Sequence, residues 1–446
     1  MYEGNYRPVS ILPSCSKIFE RLLYDQLYLF FEQILSALLA AFRKKFSCEH
    51  VLIKLVEDCK AALDHGGHVG MILMDLSKAF DGLPHKLMLR KIHTYGVSIS
   101  SCALLHSYLV NRKQRVKLGS CKSEWASITK GVPQGSILGP LLFNIFMNDM
   151  LYFLEVSCSV SNYADDNTLR YAHSEYTVLK HVLESSSTKA VAWFDDNSMK
   201  ANPSKFQSLV FKDSSSIPFD SFEISGQDIA ISDCVKLLGI FIDNKLNFDH
   251  HIRMICAKAS RQINAILRIG KYLDISSKLN LYNAFVVSNF SFCSIVWNFC
   301  TKHSIFKIEK VNKRALRAVF NDYTSSYSDL LKKVNRPCMY VLRMRKIAIE
   351  VYRCTHELNP SFMHSIFQVK ESNYDLRDAN NLHLPKVKTV RNGLDSFSYH
   401  GAKIWNMLPD SIKSSKSLPI FKAMIDQWQG PSCTCNSCVL CKIKLL

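Results

Sequence analysis

Residues 68–76, His-Val-Gly-Met-Ile-Leu-Met-Asp-Leu, form a mostly apolar run that predicts a β-strand. Val69, Met71, Leu73 and Asp75 fall on one face of that strand, because successive side chains of a strand point to opposite sides. The face therefore ends in a carboxylate, which is costly to bury without a partner. A partner for Asp75 has to come from another part of the chain.

A second extended segment, residues 161–171, is predicted to be a tight β-hairpin. Its turn cluster, 164–167, contains the adjacent residues Asp165 and Asp166, which repel each other unless solvent or a cation neutralises them. A solvent-exposed turn is one interpretation. The other is a divalent cation, since hard oxygen ligands suit magnesium or manganese. The strand-forming residues around the turn are Val160, Tyr163, Leu169 and Tyr171.

Helical periodicity predicts most of the remaining elements. The first predicted helix begins within residues 5–23 and continues past them. Its apolar side is formed by Ile18, Phe19, Leu22, Leu23 and Leu27. A strand is predicted over 235–243. The other predicted helices cover 51–63, 86–92, 100–110, 176–194, 248–267, 277–287 and 304–320.

The longest apolar run, residues 137–154, is predicted to be a buried helix. It contains Gly139, Pro140, Asn144, Asn148 and Asp149, which a membrane-spanning segment of this length would rarely carry. We therefore expect no membrane partner.

Composition and charge narrow the class of protein. The 446 residues predict roughly two to four domains, and the 48% hydrophobic content supports packed cores. The net charge of +18 indicates a polyanionic partner, either nucleic acid or a membrane surface. Residues 251–350 hold 18 Lys and Arg against 5 Asp and Glu, which favours a nucleic-acid path there. No signal peptide opens the chain, so we expect a reduced, intracellular setting in the nucleus, the cytoplasm or both.

Three segments in order carry a family resemblance: Asp-Leu-Ser-Lys-Ala-Phe-Asp at 75–81, Gly-Val-Pro-Gln-Gly-Ser-Ile-Leu-Gly-Pro at 131–140, and Tyr-Ala-Asp-Asp at 163–166. They resemble the palm motifs of reverse transcriptases from non-LTR (LINE-type, jockey-like) retrotransposons. The resemblance implies an α+β, right-hand polymerase fold whose fingers and palm hold an antiparallel sheet, followed by a mostly helical thumb and C-terminal region. The implied boundaries are 1–245 for fingers and palm, 246–370 for a basic thumb-like region, and 371–446 for a C-terminal region with a cysteine-rich tail.

The resemblance also implies a catalytic centre. Asp75 and Asp165 would bridge two Mg²⁺ or Mn²⁺ ions, and Asp166 would complete or position the site. Lys205 would protonate or steady the leaving pyrophosphate. Phe80 would be the steric gate that excludes a 2′-hydroxyl.

Further residues would bind the nucleotide and the nucleic acid. Gln134 and Gly135 lie in the loop that resembles the one beneath the nascent base pair, and Arg43 lies in a segment whose arginine meets the incoming triphosphate. That segment departs from the family at Ala41, where glycine is usual. Arg7 would contact nucleic acid.

Two basic segments have open interpretations. Lys307, Lys310, Arg314 and Arg317 are spaced 3, 4 and 3 residues apart, which places them on one helix face, opposite an apolar face. A solvated face is one interpretation, but the local excess of positive charge favours phosphate contacts. Residues 111–117 predict a basic ribbon that either contacts the template or is merely solvated. The apolar face consists of Ile305, Ile308, Leu316 and Val319.

The tail carries four thiols, Cys433, Cys435, Cys438 and Cys441. Four thiols in nine residues could bind zinc. No histidine follows, the intervening loops are very short and chain ends often fray, so both interpretations stay open.

The expected function is that of an RNA-directed DNA polymerase that extends a DNA primer on an RNA template with deoxynucleoside triphosphates. Family members carry an upstream endonuclease domain, and no such domain precedes Asn5 here, so a separately encoded endonuclease is an expected partner. One alternative is a non-catalytic, nucleic-acid-binding remnant, against which Asp75, Gln134, Asp165 and Asp166 argue. An RNA-directed RNA polymerase shares the metal chemistry but not the Phe80 arrangement.

Overall fold

The computed structural model describes residues 9–76, 79–154, 157–211, 217–370, 381–431 and 438–444. Its strands are β1 His68–Met74, β2 Lys113–Gln114, β3 Lys117–Leu118, β4 Cys121–Lys122, β5 Ala126–Ser127, β6 Ser159–Tyr163, β7 Asp166–His173, β8 Gln207–Phe211, β9 Ser221–Ile224, β10 Gln227–Ala230, β11 Cys234–Leu237 and β12 Ile240–Asp243.

Helices make up much of the rest. They are α1 Ser14–Phe31, α2 Cys48–Asp64, α3 Ala79–Gly82, α4 His85–Thr94, α5 Ile99–Leu109, α6 Leu138–Leu154, α7 Tyr176–Asp196, α8 Asp249–Ile269, α9 Ile275–Leu281, α10 Ser288–Ser291, α11 Lys302–Phe320, α12 Tyr327–Lys333, α13 Met339–Thr355, α14 Phe397–Asn406, α15 Asp410–Lys413, α16 Leu418–Ile425 and α17 Val439–Lys444. A π-helical segment, Tyr282–Val287, continues α9.

The predicted strand and hairpin form one sheet, in the order β6-β7-β1-β8. Both β6 and β1 pair with β7 in antiparallel fashion. After Asp243 the described regular structure is helical. The α+β class is therefore confirmed.

Chain contacts divide the described residues into two units. The first holds 9–47, 68–210 and 217–232, and the second holds 48–67, 211 and 233–444 within the described ranges. The boundaries expected at residues 245 and 370 separate the fingers and palm, the thumb-like region and the C-terminal region, and they stay predictions.

Helix α2 belongs to the second unit, although the residues before and after it belong to the first. Its acidic residues accept hydrogen bonds from backbone N–H groups far along the chain. Glu57 accepts from Phe397 at 2.6 Å and Asp64 from Thr389 at 2.7 Å. These partners come more than 300 residues later in the sequence.

Helix α6 is the centre of the apolar core of the first unit, as predicted for residues 137–154. Leu142, Phe143 and Phe146 are completely buried. Two buried amides on the same helix bond to loops, since Asn144 donates to the Ala41 carbonyl at 2.8 Å and Asn148 accepts from the Ser36 N–H at 2.8 Å. In the described ranges we find no helix long and apolar enough to cross a membrane.

The predicted apolar side of α1 is wrong in part. Ile18, Phe19 and Leu22 are exposed, whereas Glu20 is fully buried. The Glu20 carboxylate accepts hydrogen bonds from the N–H groups of Ile137 (2.6 Å) and Leu138 at the start of α6. Four N–H groups at a helix start lack partners within the helix. Satisfying two of them turns the Glu20 side of α1 inward.

Residues 235–243 also differ from the prediction of a single strand. They fold into a hairpin in which β11 pairs with β12 around Leu238 and Gly239. Both turn residues have left-handed backbone, with φ of +47° and +85°. A leucine in that conformation carries no sequence signal of a turn, which is why the pattern indicated one continuous strand.

Gly131 lies directly against the backbone of α3. Its N–H donates to the Leu83 carbonyl at 2.7 Å, and the N–H of Val132 donates to the Phe80 carbonyl at 2.9 Å. The backbone of Gly131 is left-handed, with φ of +86°, and a Cβ there would lie 2.7 Å from the backbone oxygen of Asp81. Only glycine allows this approach.

We predict that Gly131→Ala lowers the free energy of unfolding by about 2–5 kcal/mol, which combines left-handed strain with the clash. Gly66→Ala is the matched control, because Gly66 has a similar φ of +83° but nothing within 4 Å of an added Cβ. Gly66→Ala should lower the free energy of unfolding only by the left-handed backbone strain, about 1–2 kcal/mol. Urea unfolding of both variants measures the difference, and equal losses would contradict the close approach.

Candidate active site

The β6–β7 hairpin places Asp165 in a two-residue turn and Asp166 directly after it, at the start of β7. Tyr163 pairs with Asp166, so Ala164 and Asp165 form the turn itself. Ala164 has left-handed backbone, with φ of +57°. Asp165 is half-buried and Asp166 is exposed. The turn thus directs two carboxylates to one end of the sheet.

Two buried asparagines hold this turn. The Asn162 amide donates to the Ala164 carbonyl at 2.9 Å and to the Asn167 side chain at 2.8 Å. Asn167 in turn donates to the Asp165 carbonyl at 3.2 Å. Sequence reasoning missed both residues. Their only signal in the sequence was an asparagine on each side of the turn, within an otherwise strand-like segment.

Strand β1 brings Asp75 to the same end of the sheet. The β1–β7 ladder ends with Met74 opposite Asn167, and its antiparallel register continued by one residue sets Asp75 opposite Asp166. The Asp75 carbonyl also accepts a hydrogen bond from Asn202 at 3.2 Å. The acidic residues of two separate motifs are therefore neighbours.

Lys205 lies beside Asp75. Its ammonium nitrogen is 3.6 Å from a carboxylate oxygen of Asp75, and the two side chains are 62% and 43% exposed. Lys205 ends a short 3₁₀ turn, Pro203–Lys205. An ion pair this exposed contributes at most about 1 kcal/mol to stability. The pair is therefore accessible to a substrate and easily rearranged.

The donor atoms at this sheet end fit divalent metal ions of the magnesium type. They are carboxylate oxygens open to solvent, and the ammonium group of Lys205 already lies against Asp75. Within the described ranges no group of three or more His, Cys, Asp or Glu side chains is preassembled for a metal. The choice of ligands stays a prediction.

Phe80, in α3, is fixed by other aromatic rings. It stacks on Phe143 with ring centroids 4.4 Å apart and meets Phe42 edge-on at 6.0 Å. Phe143 is completely buried, whereas Phe42 is 48% exposed. Phe80 therefore lies at the boundary between the core and solvent, with a rigid ring behind it.

The loop 133–136 is tied to α3. Gln134 donates from its side-chain amide to Asp81 at 3.1 Å, and its carbonyl accepts from Ser10 at 2.8 Å. Gly135 has left-handed backbone with φ of +105°. His85 bonds to the Gly131 carbonyl at 2.7 Å. Phe80 and Gln134 are thereby held by one network.

Arg43 is buried, with 5% of its side chain exposed, and its guanidinium is occupied by internal partners. It pairs with Glu32 at 2.9 Å and donates to the carbonyls of Ser36 (2.6 Å) and Leu39. The left-handed residues of this loop are Phe42 and Lys45, not Ala41. The arginine holds the loop, and its role towards a triphosphate stays a prediction.

A neighbouring tyrosine fixes the residue that follows Arg43. The Tyr28 hydroxyl accepts a hydrogen bond from the Lys44 N–H at 3.1 Å. Burial raises the pKa of Tyr28 to about 12, so the hydroxyl stays protonated at neutral pH. The backbone at Lys44 is therefore held independently of the arginine.

Comparison with known proteins decides the family. The family model described as reverse transcriptase (RNA-dependent DNA polymerase) matches residues 2–242, just over half of the chain. The chain belongs to the reverse transcriptase family. The sheet that carries Asp75, Asp165 and Asp166 lies within the matched residues.

Relatives of this reverse transcriptase include transposon proteins. It is 27% identical to the probable RNA-directed DNA polymerase from transposon BS of Drosophila melanogaster, over 71% of this chain and 36% of that protein. The RNA-directed DNA polymerase from mobile element jockey of Drosophila funebris is also 27% identical, over 71% of this chain and 35% of that protein. The chain thus spans about a third of the length of these relatives. Among solved structures, apo telomerase from Candida tropicalis matches with a TM-score of 0.39 and 12% identity, over 71% of this chain and 51% of that one.

The basic stripe of the second unit lies on α11. Lys310 and Arg314 are exposed, and Lys307 and Arg317 are half-buried. Arg314 donates to Asn264 of α8 at 2.6 Å. The opposite face is buried as predicted, through Ile305, Ile308, Leu316 and Val319. Phosphate binding by the stripe stays a prediction.

Three candidate residues, Arg7, Cys433 and Cys435, lie outside the described residues. Cys438 and Cys441 are described at the start of α17, where the Cys441 N–H donates to the Cys438 sulfur at 3.4 Å. The zinc hypothesis is therefore untested.

We predict that Asn162→Ala lowers the free energy of unfolding by about 1–3 kcal/mol, because it leaves buried partners without hydrogen bonds. It should also slow primer extension about 10- to 100-fold by displacing the turn that carries Asp165 and Asp166. Asn197→Ala is the control, since Asn197 is buried and donates only to the Trp193 carbonyl of its own helix. Thermal unfolding and single-nucleotide extension should separate the two variants; equal extension rates would rule out a positioning role.

Proposed function

We propose that this reverse transcriptase is the RNA-directed DNA polymerase of a non-LTR retrotransposon, which extends a DNA primer on an RNA template. The observation that carries the proposal is the β1–β7 register. It pairs Met74 with Asn167, so Asp75 directly follows the ladder at the end of the sheet where the turn holds Asp165, and Lys205 lies 3.6 Å from Asp75. Carboxylates with an adjacent cation at an open sheet end suit a phosphate-bearing substrate and its metal ions.

Asp75, Asp165 and Asp166 would hold two Mg²⁺ or Mn²⁺ ions. When bound, such ions neutralise charge on the attacking and leaving oxygens of a phosphoryl transfer. The chain itself contributes position, because the β1–β7 ladder and the asparagine pair hold the backbone from which the carboxylates project.

Lys205 would steady the leaving pyrophosphate or give it a proton. Its ammonium group has three donors and lies at an exposed position beside Asp75. If Asp75 held a metal ion, Lys205 would be released from this ion pair and could donate to the phosphates. This exchange of partners costs little, since an exposed ion pair is weak.

Phe80, Gln134 and Gly135 would form the wall around the incoming nucleotide. The Phe80 ring rests on the buried ring of Phe143 and so has little room to retreat from a ligand. The hydrogen bond of Gln134 to Asp81 ties the loop to the same helix as Phe80. A ribose with a 2′-hydroxyl would then meet a fixed obstacle.

Several partners of the proposed enzyme rest on the sequence. RNA template, DNA primer and deoxynucleotides follow from the family, with phosphate contacts at Lys307, Lys310, Arg314 and Arg317. A separately encoded endonuclease, zinc at the cysteine tail, and action in the nucleus or cytoplasm complete the proposal.

We predict that Asp75→Asn and Asp165→Asn each reduce primer extension at least about 10²- to 10³-fold, with Asp166→Asn also severe. Binding of annealed template–primer should survive, because the substitutions remove negative charge. Asp196→Asn, at the exposed end of α7, is the matched control and should leave extension unchanged. Titration with Mn²⁺ should show weaker metal binding in the first three variants only. Extension by the unaltered enzyme in excess EDTA would contradict the mechanism.

We predict that Phe80→Val raises ribonucleotide relative to deoxynucleotide incorporation by about two orders of magnitude, equal to about 2.7 kcal/mol of discrimination. The smaller side chain opens the space beside the sugar, and deoxynucleotide extension should fall only modestly. Phe222→Val is the control, because Phe222 is fully buried in the same unit and its loss also leaves a cavity. Paired titrations of both nucleotide types decide the matter. If the ratio is unchanged in a folded Phe80 variant, the residue is only a core residue.

A further inference from the structure

A narrow antiparallel ribbon, residues 111–130, projects its side chains into solvent between α5 and Gly131. Strand β2 pairs with β5, and β3 pairs with β4, around a turn at Gly119. Hydrogen bonds between Val116 and Ser123 join the two short ladders. Every residue from 113 to 127 is exposed, so this ribbon contributes no core to the first unit.

The cations of the ribbon share one face. Lys113, Arg115 and Lys117 alternate along one strand and therefore point to the same side. Lys122 is the direct partner of Lys117 and lies on that side too. The guanidinium of Arg115 lies over the ring of Trp125, 4.6 Å from its centroid. We call these five residues the cationic face.

The reverse side of the ribbon has a different character. From residue 114 onward it carries Gln114, Val116, Leu118 and Ala126, none of which is charged. Arg112 precedes them at the base of the ribbon, where its guanidinium lies over the ring of Tyr108 in α5. Glu124 is the single acidic residue in the sequence of the ribbon, against six Lys and Arg. Between residues 113 and 126 positive charge is thus sorted onto one side, which solvation alone does not require.

Trp125 points to the kind of partner. The side chain is 58% exposed, although tryptophan is usually highly buried. Exposed aromatic rings among cations are the means by which proteins bind unpaired nucleotides, since every base offers a flat face for stacking. The guanidinium of Arg115 over this ring adds a positive charge near the place where the phosphate next to a stacked base would lie.

The exposed ring favours a single strand over a duplex. Alternate cations along a β-strand, about 6.6–6.8 Å apart, could follow the phosphates of either form, so the ring is the feature that discriminates. A duplex offers no unpaired base to Trp125.

We propose that the cationic face binds single-stranded nucleic acid, with its cations on the phosphates and Trp125 stacked on an unpaired base. The inference rests on the proposed function for the class of partner. It adds a binding surface distinct from the carboxylates at the sheet end, one that engages an unpaired stretch of template or product.

The main test compares two variants of the full chain with the same change in net charge. The first changes Lys113, Arg115, Lys117 and Lys122 to Gln, and the second changes Gln114, Val116, Leu118 and Ala126 to Glu on the reverse side. Each lowers the net charge by four. Fluorescence anisotropy with a labelled, unstructured 20-nucleotide RNA, measured from low to high salt, gives affinity and salt slope.

We expect the first variant to lose at least about tenfold in affinity, and its salt slope to become shallower by up to about 2.8, since each lost phosphate contact removes about 0.7. The second variant should keep the slope of the unaltered protein. Equal losses in the two variants would mean a general charge effect and would overturn the inference.

Trp125 provides an independent readout. Trp125→Ala should weaken single-strand binding about tenfold, in the range measured for base–aromatic stacking, while Trp125→Phe should retain most of the affinity. RNA should quench tryptophan fluorescence in the unaltered protein and much less in Trp125→Phe. Equal binding by the Ala and Phe variants would reject stacking.

Two further measurements separate the inference from its neighbours. If the ribbon variants lose binding to anionic lipid vesicles but not to RNA, the face belongs to a membrane surface and the inference is wrong. Single-nucleotide extension by the unaltered protein, on a template–primer whose template overhangs by one nucleotide, tests the proposed function separately. Absence of extension in the unaltered protein, with ribbon-dependent RNA binding intact, would refute the proposed function alone.

Discussion

The first unit has to hold the carboxylates of Asp75, Asp165 and Asp166 at one end of a sheet, although like charges repel. Much of its structure can be understood from this constraint. Carboxylates that are brought close together repel, and the repulsion is stronger near a protein surface than in water. The β1–β7 ladder holds the backbone on either side through seven residue pairs, from His68 opposite His173 to Met74 opposite Asn167. Asp75 directly follows the last of these pairs, so strand pairing limits how far the backbone that carries the carboxylates can move.

Buried amides extend the same rigidity into the loops. Asn144 and Asn148 on α6 bond to the 34–41 segment, and Asn162 bonds within the hairpin turn while its own carbonyl accepts from Ala40. Each would cost about 1–3 kcal/mol if its partners were lost while it stayed buried. The loop that contains Arg43 and the turn that contains Asp165 are therefore anchored to the same core.

Local pattern predicted the elements better than their faces and partners. The strand at Asp75 and the hairpin at Asp165 were predictable because a short apolar run and turn residues are local signals. Their mutual register was not, since no local signal specifies which strand pairs with which. The inward side of α1 was mispredicted because Glu20 satisfies N–H groups of a helix more than 100 residues away. In the candidate site, the motif residues could be found by resemblance, whereas Asn162 and Asn167 could not, because which side-chain hydrogen bonds a turn forms depends on its backbone geometry even when the partners lie within five residues.

Helix α2 has a consequence for how the chain is made. Its hydrogen-bond partners at Thr389 and Phe397 leave the ribosome only after more than 300 further residues have been added. At about 5–20 residues per second, α2 would wait roughly 15–70 s for them. During that interval Leu52, Ile53 and Val56, which are buried in the finished unit, have no completed core to enter. Synthesis from the N-terminus therefore leaves α2 dependent on residues around Thr389 and Phe397, which are made much later. Chaperones would have their main opportunity to act during this interval.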